Sequence, residues 1–216
     1  MPQSDDKPRP FAWVAEGDNA DLGRLRSEIF DALSLGASKG SHGFHLPVIA
    51  TFDAAAGRPA SRTVVLRGFD RDVAAIQCHT DARTPKVREL DATPSSSWTF
   101  YDRDARVQVV AEGPTTTHTD DEIADAAWEG SRVESLRCYL APQPPGRPMD
   151  RRSYNLPDDL VGQVPTKELA ELGRENFAVV RTEIATLDFL LLKREGNIRA
   201  LFERTAGGWR DGWIAS

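Results

Sequence analysis

Two arginines bracket an apolar run in "RTVVLR", residues 62–67, and His79, Thr80, Thr84 and Lys86 follow within twenty residues. A guanidinium and an ammonium beside paired hydroxyls are groups that hold an oxyanion through charge-assisted hydrogen bonds. The stretch "HTDARTPK" strengthens that chemistry. A β-rich run ends there and a helix starts, with Thr84 in the cap position and Pro85 in the first turn. A helix start presents unpaired N–H groups and the positive end of its dipole, both of which favour an anion. If the fold brings Arg62 to this helix start, the result is a phosphate cradle. The competing reading is that Arg62 and Arg67 merely solvate the ends of a strand, as arginines commonly do.

Other candidate motifs carry less. His42 and His45 stand three apart with no Cys, His or Glu partner nearby, so no metal site is expected. There is no Gly-x-Ser-x-Gly turn for acyl transfer. Cys78 and Cys138 form no CxxC pair and read as reduced thiols used in packing. The acidic run "HTDDEIADAAWEG" reads as a capped helix with a solvated face. Trp98, Trp128, Trp209 and Trp213 read as core or interface anchors.

These groups need a scaffold. The chain has 216 residues, 40% hydrophobic and 28% charged, which suits one globular domain. With 33 acidic against 27 basic residues the net charge is -6, so no nucleic-acid footprint is expected and any phosphate chemistry is local. No apolar run is long enough to span a membrane and the start lacks the pattern of a secretory signal, so a cytoplasmic protein is expected, without membrane contact.

An amphipathic helix is predicted over about 19–37, from Leu22, Leu25, Ile29, Phe30 and Leu33, with Asn19 or Asp21 as its cap. Three β-rich runs follow between residues 44 and 81, one of them containing 62–67 as a strand. A short helix starts at Thr84, a hairpin turns at 102–104, and two helical stretches cover about 120–129 and 131–139. Residues 140–166 are proline-rich and aperiodic, which predicts a long surface loop. A helix near 167–176 and three more strands over about 177–214 complete the chain. Six or seven antiparallel strands with peripheral helices predict a mainly β barrel or sandwich.

The blocks "GRPASRTVVLRGFD", "HTDARTPKVREL" and "DARVQVVAEG", in this order, resemble the pyridoxamine 5'-phosphate oxidase-like FMN-binding family of split β-barrels. The resemblance spans about residues 44–113 and fits the final strands more weakly. It implies FMN as cofactor and a homodimer with FMN sites at the subunit interface. It also implies that Arg62, Thr63, Val64, Val65, Leu66 and Arg67 lie along the FMN, Arg62 at its phosphate and Arg67 near the flavin and substrate. His79 and Thr80 match the place where the chain turns around the cofactor, although tyrosine is more usual than His79. Thr84 and Lys86 match phosphate-holding residues, and Pro85 replaces an arginine common between them. Gln108 matches a glutamine that reaches the flavin edge across the interface.

The C-terminal block departs from the family pattern. Alignment puts Leu190 where the oxidases have tryptophan, Leu201 at a histidine and Glu203 at an arginine, and only Arg199 is retained. The resemblance therefore implies an FMN oxidoreductase with an altered pocket for a small-molecule substrate, where Arg67, Arg137 and Arg199 offer positive charge. The alternatives are a non-enzymatic FMN carrier or sensor, or a relative using haem or a deazaflavin.

Overall fold

The computed structural model describes residues 10–16 and 20–216. Helix α1, Leu22–Ser38, begins at Asp21, whose side chain accepts a hydrogen bond from the Arg24 N–H at 3.1 Å. Asn19, the other cap candidate, lies outside the described residues. Leu25, Ile29, Phe30 and Leu33 recur at helical spacing and are buried, which lays α1 against the barrel.

The strands are β1 (Val48–Asp53), β2 (Arg58–Thr63), β3 (Gly68–Asp70), β4 (Ala75–Asp81), β5 (Ser95–Asp102) and β6 (Val107–His118), then β7 (Phe177–Glu183), β8 (Thr186–Leu191), β9 (Ile198–Thr205) and β10 (Gly208–Ile214). Between them stand α2 (Pro85–Ala92), α3 (Glu122–Glu129), α4 (Val133–Leu136) and α5 (Lys167–Glu171). All strand pairs are antiparallel, in the order β10-β9-β8-β6-β5-β1-β2, with β7 bridging β6 to β4 and β3 pairing β4.

Among the described residues there are ten strands in place of the expected six or seven, and two of the additional ones come from divided runs. Residues 62–67 are not one strand. β2 ends at Thr63, and the next four residues leave the ladder, held by Val64 N–H to Pro47 O at 2.9 Å, Leu66 N–H to His45 O at 2.9 Å and Arg67 N–H to Gln77 O at 2.8 Å. The segment thus crosses from β1 to β4, and of its side chains only Leu66 is fully buried. The run from Phe177 likewise divides at Ile184 and Ala185 into β7 and β8, which lie in different parts of the sheet.

The long strand β6 splits the barrel. Val107–Glu112 pairs with β8, whereas Thr115–His118 pairs with β7. The backbones converge where it changes partner: a Cβ on Gly113 would lie 1.8 Å from the Glu183 carbonyl oxygen, so only glycine fits. Inside, Trp98, Phe100, Phe189 and Phe202 interdigitate with Ile49, Leu66 and Ile76, all fully buried. Each such side chain contributes about 1.5–3 kcal/mol of apolar burial. A satellite cluster of Trp128, Leu136, Tyr139, Ala170 and Phe177 seats α3 to α5 on β7. Trp213 is exposed, so it is no core anchor, and Cys138 is exposed as well, leaving Cys78 as the packing thiol. No described helix is long and apolar enough to cross a membrane.

Candidate functional site

Strand β4 divides two polar regions, because alternate side chains face opposite ways. Cys78 and Thr80 point inward and are buried, while Gln77 and His79 face a cleft.

On the inner side, Arg62 from β2, Thr80 from β4, and Thr84 and Lys86 from the start of α2 converge. The Lys86 ammonium donates to the Thr80 hydroxyl, the Thr80 and Thr84 hydroxyl oxygens lie 3.3 Å apart, and the Thr84 hydroxyl donates to the Asp81 carbonyl at 2.8 Å. Thr84 is the N-cap residue, yet its side chain makes no capping bond, which leaves the first-turn amides of α2 without a side-chain acceptor. Burial lowers the Lys86 pKa from its ordinary value, and the nearby Arg62 charge adds to that shift. Beneath lies Cys78. Burial pushes its thiol up to about 12 despite Lys86, Arg62 and Arg67, so it stays a neutral packing group.

Arg62 is not free. Its Nη2 donates to Glu89 Oε2 on α2 at 2.9 Å and its Nη1 to the hydroxyl of Thr51 on β1. The sequence reading missed Glu89 because a glutamate amid "PKVRELDA" looks like a solvated helix residue, whereas it is only 8% exposed.

On the other side, Arg67, Gln77 and His79 line a cleft of about 260 Å³ closed by Ser131, Arg132 and Ser135 from the α3–α4 junction. None of these last three was singled out in the sequence; their signal was a polar Ser-Arg pair between two helices. The His79 ring packs edge-on against Phe177, centroids 4.9 Å apart. Burial, with Arg67 adding to it, lowers the His79 pKa to about 4, so at neutral pH the ring is an uncharged donor and acceptor. A consequence is measurable. The unfolded imidazole takes up its proton near 6.5 and the folded one only near 4, so the folded state loses stability as pH falls from about 6.5 towards 4. His79→Gln should flatten that part of a denaturation-versus-pH curve; an unchanged slope would assign it to other groups.

The remaining sequence candidates lie elsewhere. Cross-strand register sets Tyr101, Gln108, Leu190, Arg199 and Ile214 in one row on the outward face of the main sheet, and Val48, Thr99, Val110, Asp188 and Leu201 in the next. Thr63 opposes Val48 at the end of that second row. Gln108 does not line the cleft, and neither does Arg199. The Arg199 Nε lies 2.9 Å from Asp188 Oδ1 and its Nη2 binds Oδ2, so its charge is matched by a cross-strand carboxylate. Glu203 is matched by Arg210, Nη2 to Oε2 at 2.6 Å. Arg137 donates to the Gln163 carbonyl at 2.6 Å and ties down the proline-rich loop. Of the three arginines expected to attract substrate, only Arg67 lines the cleft, and Arg132 joins it. The histidines at 42 and 45 engage backbone: His42 Nδ1 accepts from Phe44 N–H at 3.1 Å, and His45 Nδ1 lies 2.7 Å from Gly36 O.

The split antiparallel barrel thus carries a cationic, hydroxyl-lined helix start beside β4. The donor set suits a phosphomonoester, since the Lys86 ammonium and the Thr80 and Thr84 hydroxyls meet at one strand-to-helix turn, with the Arg62 charge close by on β2. Residues 27–119 match the family model described as pyridoxamine 5'-phosphate oxidase, FMN-binding domain. Over these residues the chain is similar to the pyridoxamine 5'-phosphate oxidase-like family, and its cofactor is FMN. It is 29% identical over 164 residues to pyridoxine/pyridoxamine 5'-phosphate oxidase 2 of Arabidopsis thaliana, covering 70% of this chain and 75% of that protein. To the dihydrophenazinedicarboxylate synthase of Pseudomonas chlororaphis it is 29% identical over 168 residues, covering 75% and 70%. The solved structure of a pyridoxamine 5'-phosphate oxidase-related, FMN binding protein from Nostoc punctiforme PCC 73102 aligns with a TM-score of 0.67 and 24% identity, over 89% of this chain and 97% of that one.

Proposed function

We propose that the protein is a homodimeric, FMN-dependent oxidoreductase that oxidises a small anionic molecule. The observation that carries this reading is the adjacency, across β4, of a phosphate-suited cradle and a polar cleft with two guanidinium groups. Arg62, Lys86, Thr80 and Thr84 hold the FMN phosphate, and Val64 and Val65 supply the wall beside it. Bound FMN supplies acceptance of a hydride from a substrate carbon, while the protein contributes orientation and electrostatics. Arg67 and Arg132 draw the anionic group of the substrate into the cleft. Gln77, Ser131, Ser135 and the neutral His79 offer hydrogen bonds that fix its orientation.

The dimer reading rests on the outward sheet face. Val48, Phe52, Tyr101 and Ile214 are between 38 and 48% exposed there, with Val110, Leu190 and Leu201 half-buried among them. An apolar face spread over so many strands is more than a monomer usually leaves to water. A second copy covering it would set the partner's Gln108 towards the flavin. The FMN-loaded protein should sediment as a dimer, and its flavin should be reduced under anaerobic conditions by an anionic substrate and reoxidised by oxygen. A stable FMN-loaded monomer would overturn the interface assignment. A flavin that no small-molecule donor reduces would favour a carrier or sensor.

A further inference from the structure

We infer that Glu89 is a positioning residue for cofactor binding, holding the Arg62 guanidinium in the direction from which it meets the FMN phosphate. This rests on the cradle proposed above. Arg62 leaves β2, a strand at the end of the sheet path, on a long side chain that carries about 2 kcal/mol of rotamer entropy when unrestrained. Two elements restrain it. Glu89 Oε2 from α2 accepts from Nη2 at 2.9 Å, and the Thr51 hydroxyl from β1 accepts from Nη1. Thr51 in turn donates to the same Glu89 oxygen, which closes a triangle of three hydrogen bonds. A guanidinium has five N–H donors, and this triangle occupies two of them, one on each terminal nitrogen. Three donors remain for an anion, already oriented.

The carboxylate also acts against the phosphate, because it places a negative charge near an incoming dianion. Two facts decide the sign. Glu89 is nearly buried and its charge is already met by Arg62, so it adds little net repulsion. Without it, Arg62 would have to be ordered by the ligand itself, a cost borne by binding. Glu89 lies one helical turn from Lys86, so it also fixes the relation between the two cations of the cradle.

The experiment compares the affinities of FMN and riboflavin, which differ only by the phosphate, for Arg62→Ala, Glu89→Ala, Glu89→Gln and the Arg62→Ala/Glu89→Ala double variant of the full chain. Glu89→Ala should weaken FMN about tenfold and leave riboflavin within about twofold, as expected for one charge-assisted hydrogen bond that acts only through the phosphate. Glu89→Gln, which keeps an acceptor but no charge, should fall between wild type and alanine. The double variant should be no weaker than Arg62→Ala alone. Tighter FMN binding by either Glu89 variant would make Glu89 a competing anion, and equal losses for FMN and riboflavin would make its role purely structural; both results overturn the inference. If Glu89→Ala fails to fold, the direction of the Glu89→Gln change decides between positioning and competition. Unchanged FMN affinity in Arg62→Ala would instead sink the cradle itself, an outcome distinct from a failure at Glu89.

Discussion

Replacing Arg62 and Lys86 together by alanine is expected to weaken FMN binding by at least tenfold. Each cation would make a charge-assisted hydrogen bond to the phosphate, contributing about 1.5–3 kcal/mol, and about 1.4 kcal/mol corresponds to tenfold in affinity. Partial exposure of Arg62 discounts that figure, yet Lys86 is largely enclosed and, among the described residues, its ammonium has no anionic partner at hydrogen-bond distance. Burial disfavours its charged form, so a phosphate arriving beside it relieves a cost that the ligand-free protein bears. Flavin fluorescence quenching measures the affinity directly. Riboflavin is the control, because loss of Arg62 also leaves the Glu89 carboxylate unpaired in a nearly buried position, which weakens the local fold. An FMN affinity equal to wild type would mean that the phosphate is held elsewhere.

Pyridoxamine 5'-phosphate is expected to be turned over poorly, with kcat/KM below the roughly 10⁴ M⁻¹s⁻¹ that marks competent enzymes. The two named relatives are equally identical to this chain and bear the names of different activities, so identity does not choose between them. The residues do more. Arg67 stands where the resemblance implies a lysine, which keeps the charge but changes its shape and hydrogen-bond geometry. Leu190 and Leu201 place apolar surface where the resemblance implies an indole and an imidazole, so polar atoms of that substrate would lack partners. Arg199 is committed to Asp188, and Glu203 to Arg210, which leaves that face without a free cation in either position. Anaerobic reduction of the bound flavin by pyridoxamine 5'-phosphate, followed by oxygen, reads the rate constant. A value well above that threshold would show that the outward face does not set the substrate.

Much of this protein was legible in short stretches of sequence, wherever the signal was local. The spacing of Leu25, Ile29 and Leu33 dictates α1, Thr84 and Pro85 mark the start of α2, and the polar turn after Asp102 closes the β5–β6 hairpin. Three blocks with Arg62, Thr84, Lys86 and Gln108 sufficed to point to the family and to FMN. Only the tertiary structure decided how many strands there are, because the breaks at 64–67 and at Ile184 carry no glycine or proline. They arise where the chain changes hydrogen-bond partners between parts of the sheet. It also decided which charges are free. Glu89 reaches Arg62 across 27 positions, and Asp188 reaches Arg199 through a strand register in which a slip of one residue would put the two side chains on opposite faces. Helix periods, caps and turns depend on neighbours in the chain, whereas burial and ion pairing depend on neighbours in space, and those exist only once the strands have chosen their partners.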